Sequence, residues 1–177
     1  MLATPVYFNA AALIWSRERS APHGDLLLVQ QQGPDDHQPY WALPGGRVVS
    51  GELLLDGLCR EVREETGVQI AEVGELVYTA RLDNPSHGYQ SHTRVFSVNA
   101  WQGRVLPADP DHLILDVAFF PFAEAVRRLA AIPWLVMRQP LLAYLQGNTS
   151  AGCVWLYNQD GDDPPTLIAR LQGPARA

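Results

Sequence analysis

The chain of 177 residues suits one domain of ordinary size, and its 47% hydrophobic and 18% charged content is far from the composition of disordered chains. A formal net charge of −6, with no visible basic stripe, argues against a nucleic-acid polymer as partner. Two cysteines, Cys59 and Cys153, have neither metal-ligand nor disulfide-rich spacing, so a reducing, cytoplasmic location is expected.

The apolar run 5–15 is too short to span a bilayer and has no Lys or Arg before it, so it reads as a buried strand and no membrane association is expected. A turn-like stretch at 20–25 leads to a second strand at 26–31. After an exposed loop at 33–39, a short apolar segment at 40–43 stops at Pro44-Gly45-Gly46.

From 53 to 66, Leu54, Leu58 and Val62 recur every four positions while charged residues fill the other faces, which predicts an amphipathic helix closed by Gly67. Strands are predicted at 73–82 and 94–101 around a polar loop at 83–89, then at 113–120, followed by a helix at 122–130. A further helix at 132–145 carries Pro133 and Pro140, and segments 153–157 and 166–169 suggest a terminal hairpin. Strands interspersed with helices favour a mixed α/β or α+β sandwich.

Between positions 46 and 68 stand Gly46, Glu52, Arg60-Glu61-Val62, Glu64-Glu65 and Gly67-Val68. On a helix, Glu61 lies three and four residues before Glu64 and Glu65, so the three carboxylates share one side and repel unless a cation compensates. A hard divalent ion with oxygen preference suits them; a solvated charged face is the bland alternative.

With intervals of five, seven, one and one residues, the pattern matches the Nudix box Gly-x5-Glu-x7-Arg-Glu-U-x-Glu-Glu-x-Gly-U, U being bulky aliphatic. With each fixed residue used at roughly 6–7% of positions, a chance match arises in about one such chain in a million. The chain therefore resembles the Nudix hydrolase family, tightly over residues 40–68 and elsewhere only through element order.

The resemblance implies an α/β/α sandwich with a mixed sheet and a loop-helix-loop motif at residues 1–147, with 148–177 as an extension packed on the same domain. It implies a Mg²⁺ cofactor, replaceable by Mn²⁺, held by Glu61, Glu64, Glu65 and Gly45. Arg60 would position a carboxylate, Glu52 would support as an outer acid, and Gly46 would let backbone approach phosphate. The general base would be Glu64 or an acid outside the box, for which Asp109, Asp111 and Asp116 are candidates. Val49 stands where many relatives carry an acid.

The expected reaction is cleavage of a phosphoanhydride in a nucleoside diphosphate-X compound, giving NMP and phosphorylated X. Arg81, His92 and Arg94 are candidates for binding phosphate or a ribose diol, with paired surface charges explaining them almost as well. Tyr7, Phe8, Trp41, Tyr89 and Trp101 are candidates for stacking a base, although core packing is the better explanation for most of the aromatics. Leu82 and Asp83 replace the Pro that ADP-ribose and sugar-nucleotide hydrolysers show, which weakens that assignment. Many relatives are dimers, so a homodimer stays open. The rival reading is a silent domain that senses a nucleotide metabolite, but such domains have damaged boxes and an appended DNA-binding module. Cys59, inside the helix, does not supply the cysteine that an isoprenoid diphosphate isomerase would need.

Overall fold

The computed structural model describes residues 4–16, 24–33, 37–106, 110 and 112–172. The strands are β1 (Val6–Leu13), β2 (Asp25–Gln31), β3 (Tyr40–Ala42), β4 (Gly45–Arg47), β5 (Gln69–Asn84), β6 (Tyr89–Gln102), β7 (Ile114–Pro121), β8 (Cys153–Asn158) and β9 (Thr166–Leu171). The helices are α1 (Leu54–Thr66), α2 (Phe122–Leu129) and α3 (Leu135–Leu145). A six-stranded sheet runs β4-β1-β6-β5-β8-β9 and a three-stranded sheet β3-β2-β7. The larger sheet is mixed, because β1 pairs with β6 and β5 with β8 in parallel while its other pairs are antiparallel.

Successive residues of β2 point into different cores. Leu26 and Leu28 join the cluster with Leu129, Ile132 and Leu141 of the α2–α3 side, whereas Leu27 joins Leu58 and Val62 of α1. Such two-faced burial is why the strand reads as a continuous apolar run. Strand β1 divides likewise, Leu13 toward one cluster and Ala10 and Ala12 toward the other. The layers are thus α1, sheets, and α2 with α3. Leu58, fully buried in α1, tests the first layer: Leu58→Ala is expected to lower the unfolding free energy by about 2–5 kcal/mol in urea melts with unchanged slope. A loss below about 1 kcal/mol would mean that α1 is not packed as described.

The strands β5 and β6 are longer than the predicted 73–82 and 94–101, and residues 83, 84 and 89, expected in a loop, extend the ladder through Asp83↔Gln90 and Asn84↔Tyr89. The polar Asn84 disguised this, for it points inward at 1% exposure, its amide donating to the Gly161 carbonyl at 2.8 Å. The third helix starts at Leu135 rather than 132, since Pro133 disfavours helical geometry in the residue before it. Pro140 sits inside that helix, buried. The hairpin β8–β9 is laid alongside β5 through pairs running from Tyr78↔Cys153 to Asp83↔Asn158. Among the described residues no helix is long and apolar enough to cross a membrane.

Candidate active site

The site is assembled where β4 crosses the side of α1. Gly45 and Gly46 pair with Ala11 and Ala10 of β1. Gly45 has φ +143°, and a Cβ there would lie 2.2 Å from the Ala10 carbonyl oxygen and 2.5 Å from the Ala11 Cα, so only glycine fits. A Cβ on Gly46 would meet the Glu61 carboxylate, 2.5 Å from Oε2. The Gly45 N–H donates to Glu65 Oε2 at 2.7 Å, fastening the loop to the last turn of the helix. That helix stops at Gly67, whose φ of 73° and N–H bond to the Arg63 carbonyl close the C-terminus.

Arg60 is the hub. Its Nε and Nη2 donate to the two oxygens of Glu52 at 2.9 and 3.0 Å, and its Nη1 donates to Glu61 Oε1 at 2.8 Å and Glu64 Oε2 at 3.1 Å. Nη2 also donates to the Arg47 carbonyl at 3.0 Å, tying the helix to β4. A planar fork with five donors is the side chain able to do this. The bonds to Glu52, above all, push the guanidinium pKa up, and reciprocally Arg60 holds the Glu52 carboxyl below its ordinary value. Glu61 shifts the opposite way: burial raises its pKa, Arg60 only partly offsets that, and the charges of Glu64 and Glu52 add to the rise.

Of the four carboxylates, those of Glu52, Glu61 and Glu64 therefore share one guanidinium, and that of Glu65 accepts from the Gly45 N–H. Among the described residues no three Asp, Glu, His or Cys side chains converge on a point that would hold a metal ion; Arg60 stands among three of them and Glu65 is turned to Gly45. The donor chemistry nonetheless fits a hard cation, being all oxygen and in anionic excess. The missing Cβ of Gly46 keeps the approach to the Glu61 carboxylate open.

On the other side of β4 opens a cavity of about 800 Å³. Gly45 and Gly46 form its edge, and its floor includes Asn9, Ser91 and Thr93 of β1 and β6. Residues around the start of α3, among them Trp134 and Met137, wall one side, and the 159–165 turn between β8 and β9 closes another. Gly46 thus has the box carboxylates against one face and the cavity at the other.

The box residues come together, whereas the other candidates are spread out. Asp116 lies on β7 in the smaller sheet, its Oδ1 accepting the Val117 N–H at 2.8 Å. Asp109 and Asp111 lie outside the described residues. Arg94 and His92 pair with Ala10 and Phe8, and Arg81 with His92, on the sheet face that α1 packs against, and none of the three lines the cavity. Arg81 is engaged with Asp83 at 3.0 Å, and burial together with the Arg81 and Arg94 charges lowers the His92 pKa. Of the aromatics, Trp41 and Trp101 pack on Phe120 and Phe119 with centroids 4.7 and 5.7 Å apart, Phe8 on His92 at 5.4 Å, and Tyr89 lines the cavity beside Tyr7.

Two residues escaped the sequence reading. Gly57 leaves room for Glu52, since a Cβ there would come 2.9 Å from Glu52 Oε2; a glycine inside a helix, costing about 1 kcal/mol, was the available sign. Arg47 supplies a carbonyl to Arg60 and lays its guanidinium over the Tyr7 ring at 4.4 Å; nothing in the sequence pattern marks it.

A family model described as NUDIX domain matches residues 8–139. The CTP pyrophosphohydrolase of Escherichia coli K12 is 35% identical over 78 residues, covering 44% of this chain and 52% of that protein. The chain spans about half the length, or less, of the curated relatives it matches. A MutT protein structure from Bacillus halodurans aligns with TM-score 0.61 at 16% identity, over 93% of this chain and 96% of that one. A UDP-X diphosphatase structure aligns with TM-score 0.57 at 25% identity, over 87% and 68%.

Proposed function

The chain belongs to the NUDIX family, and from that premise we propose that it is a divalent-metal-dependent pyrophosphohydrolase acting on a nucleoside diphosphate-X compound or nucleotide, with release of NMP. The observation that carries the reading is the position of Gly46, against the Glu61 carboxylate on one side and the cavity on the other. Among the described residues, Gly45 and Gly46 both line the cavity and touch the acidic cluster, Gly45 through its bond to Glu65 and Gly46 against the Glu61 carboxylate. The names of the CTP pyrophosphohydrolase and the UDP-X diphosphatase agree with such a substrate.

Glu61, Glu64 and Glu65, with the Gly45 carbonyl, are the residues to hold Mg²⁺ or Mn²⁺. When bound, such an ion neutralises phosphate oxygens and acidifies water. The chain's own residues do the rest. Arg60 fixes the carboxylates of Glu52, Glu61 and Glu64 in one fan, so that they lose little orientational freedom on binding. Glu52, held by two bonds from Arg60 and one from the Val49 N–H, orients Arg60 in turn. Glu64 accepts the proton from the attacking water at Oε1, the oxygen that Arg60 leaves to it. Asp116 is less well placed for that role, its carboxylate being turned to its own strand in the smaller sheet.

Incubation with Mg²⁺ and a panel of nucleoside triphosphates, ADP-ribose, sugar nucleotides and dinucleoside polyphosphates is expected to release NMP from at least one of them. Silence across the panel, with nucleotide binding retained, would replace hydrolysis by sensing.

A further inference from the structure

We propose that the 159–165 turn of the terminal hairpin reads the edge of the nucleobase lodged in the cavity, and selects bases that carry an exocyclic amine. The inference rests on the functional reading above for the placement of the phosphates at Gly46.

The turn is built to hold its position. Asn84, 1% exposed, donates to the Gly161 carbonyl at 2.8 Å while its own Oδ1 accepts the His87 N–H at 3.1 Å. The Gln159 N–H donates to the Asp83 carbonyl at 2.9 Å, the Ser86 hydroxyl to Asp160, and His87 stands 3.7 Å from Asp162. The turn is thus anchored to the end of the β5–β6 hairpin by three hydrogen bonds, at Gly161, Gln159 and Asp160. Gly46 and this turn lie on different strands of one sheet, the first on β4 and the second between β8 and β9. Three strand spacings and several residues along the strands separate Gly46 from Asn84, on the order of 20 Å, which leaves room for a nucleoside between phosphates at one end and the turn at the other.

The cavity between them has the character that a base needs. Leu43, Leu82, Tyr89, Trp134 and Leu141 give it apolar surface for the ring faces. At the far wall stand Asp162 and Asp163. An ionised carboxylate only accepts hydrogen bonds, so the base edge turned to it must donate. Adenine and cytosine present an amine there, where uracil and thymine present a carbonyl oxygen that the carboxylates repel. The same charges disfavour a phosphate at this end. Arg138, the cation in the lining, is engaged with the Ile132 carbonyl.

The test is equilibrium binding of CMP against UMP, and of AMP against IMP, pairs that exchange an amine for an oxygen in two ring sizes. The full chain is expected to bind the amine member about tenfold more tightly in at least one pair, and Asp162→Asn/Asp163→Asn, on an exposed turn, to bring that ratio near one. Equal affinities in both pairs, or a preference that survives the double substitution, would overturn the proposal. Because monophosphate binding needs no turnover, a base preference without any hydrolysis would keep this inference and remove the functional reading instead.

Discussion

Glu61→Gln is expected to cut turnover about a thousandfold while leaving the thermal midpoint equal to or above that of the parent chain. The two effects have one origin. Glu61 is half-buried and crowded by Glu52 and Glu64, and burial pushes its pKa up. A carboxylate whose folded pKa exceeds its unfolded value costs stability as pH rises through that range, so the charged form at neutral pH is a liability to folding. Glutamine keeps the shape and one acceptor for Arg60 but removes the charge. Loss of function with retained or improved stability marks a group kept for chemistry rather than for packing. Rates within tenfold of the parent, measured with Mg²⁺ on whichever nucleotide the panel identifies, would remove Glu61 from the proposed metal site; a marked fall in melting temperature would give it a structural role.

Gly46→Ala is expected to lower turnover about a hundredfold with only a small change in stability. The new methyl would meet the Glu61 carboxylate, 2.5 Å from Oε2 and 2.6 Å from Cδ. The end of a long side chain can swing away, so the fold survives while the carboxylate leaves its place. The neighbouring glycine is the control. In Gly45→Ala the methyl would strike backbone, the Ala10 carbonyl and the Ala11 Cα, at a φ of +143°, and no side-chain movement relieves it. That variant is expected to lose about 2–4 kcal/mol of unfolding free energy. If circular dichroism melts show Gly46→Ala to be as unstable as Gly45→Ala, the open approach to Glu61 is not what Gly46 provides.

The acidic cluster was legible in the sequence because it is local. Every residue of the acidic cluster lies within one loop and one helix, where spacing alone dictates which carboxylates share a side. Even so, the pattern did not reveal that Arg60 serves three of them at once, since Glu52 reaches it from the loop across 8 residues. The layered fold was legible through the two-faced apolar strands. The cavity was not, because its walls join β1, α3 and the terminal hairpin, and the bond that fixes the turn links residues 77 apart, Asn84 to Gly161. A buried asparagine in a strand looks like a loop residue until its partner is known. Arg81 and Arg94 show the converse limit: alternation places them on one face of a sheet, and only the position of α1 tells which face.

The parallel pairing of β8 with β5 also bears on self-association. Removing the chain after residue 147 would strip the partner from Tyr78 through Asp83 and leave a row of unsatisfied amides and carbonyls along a flat border. Such a border recruits strands from other molecules and drives aggregation. The hairpin that carries the proposed base-reading turn is thus also the sheet's cover on that side, so specificity is open to exchange through the 159–165 turn alone, with β8 and β9 left in place.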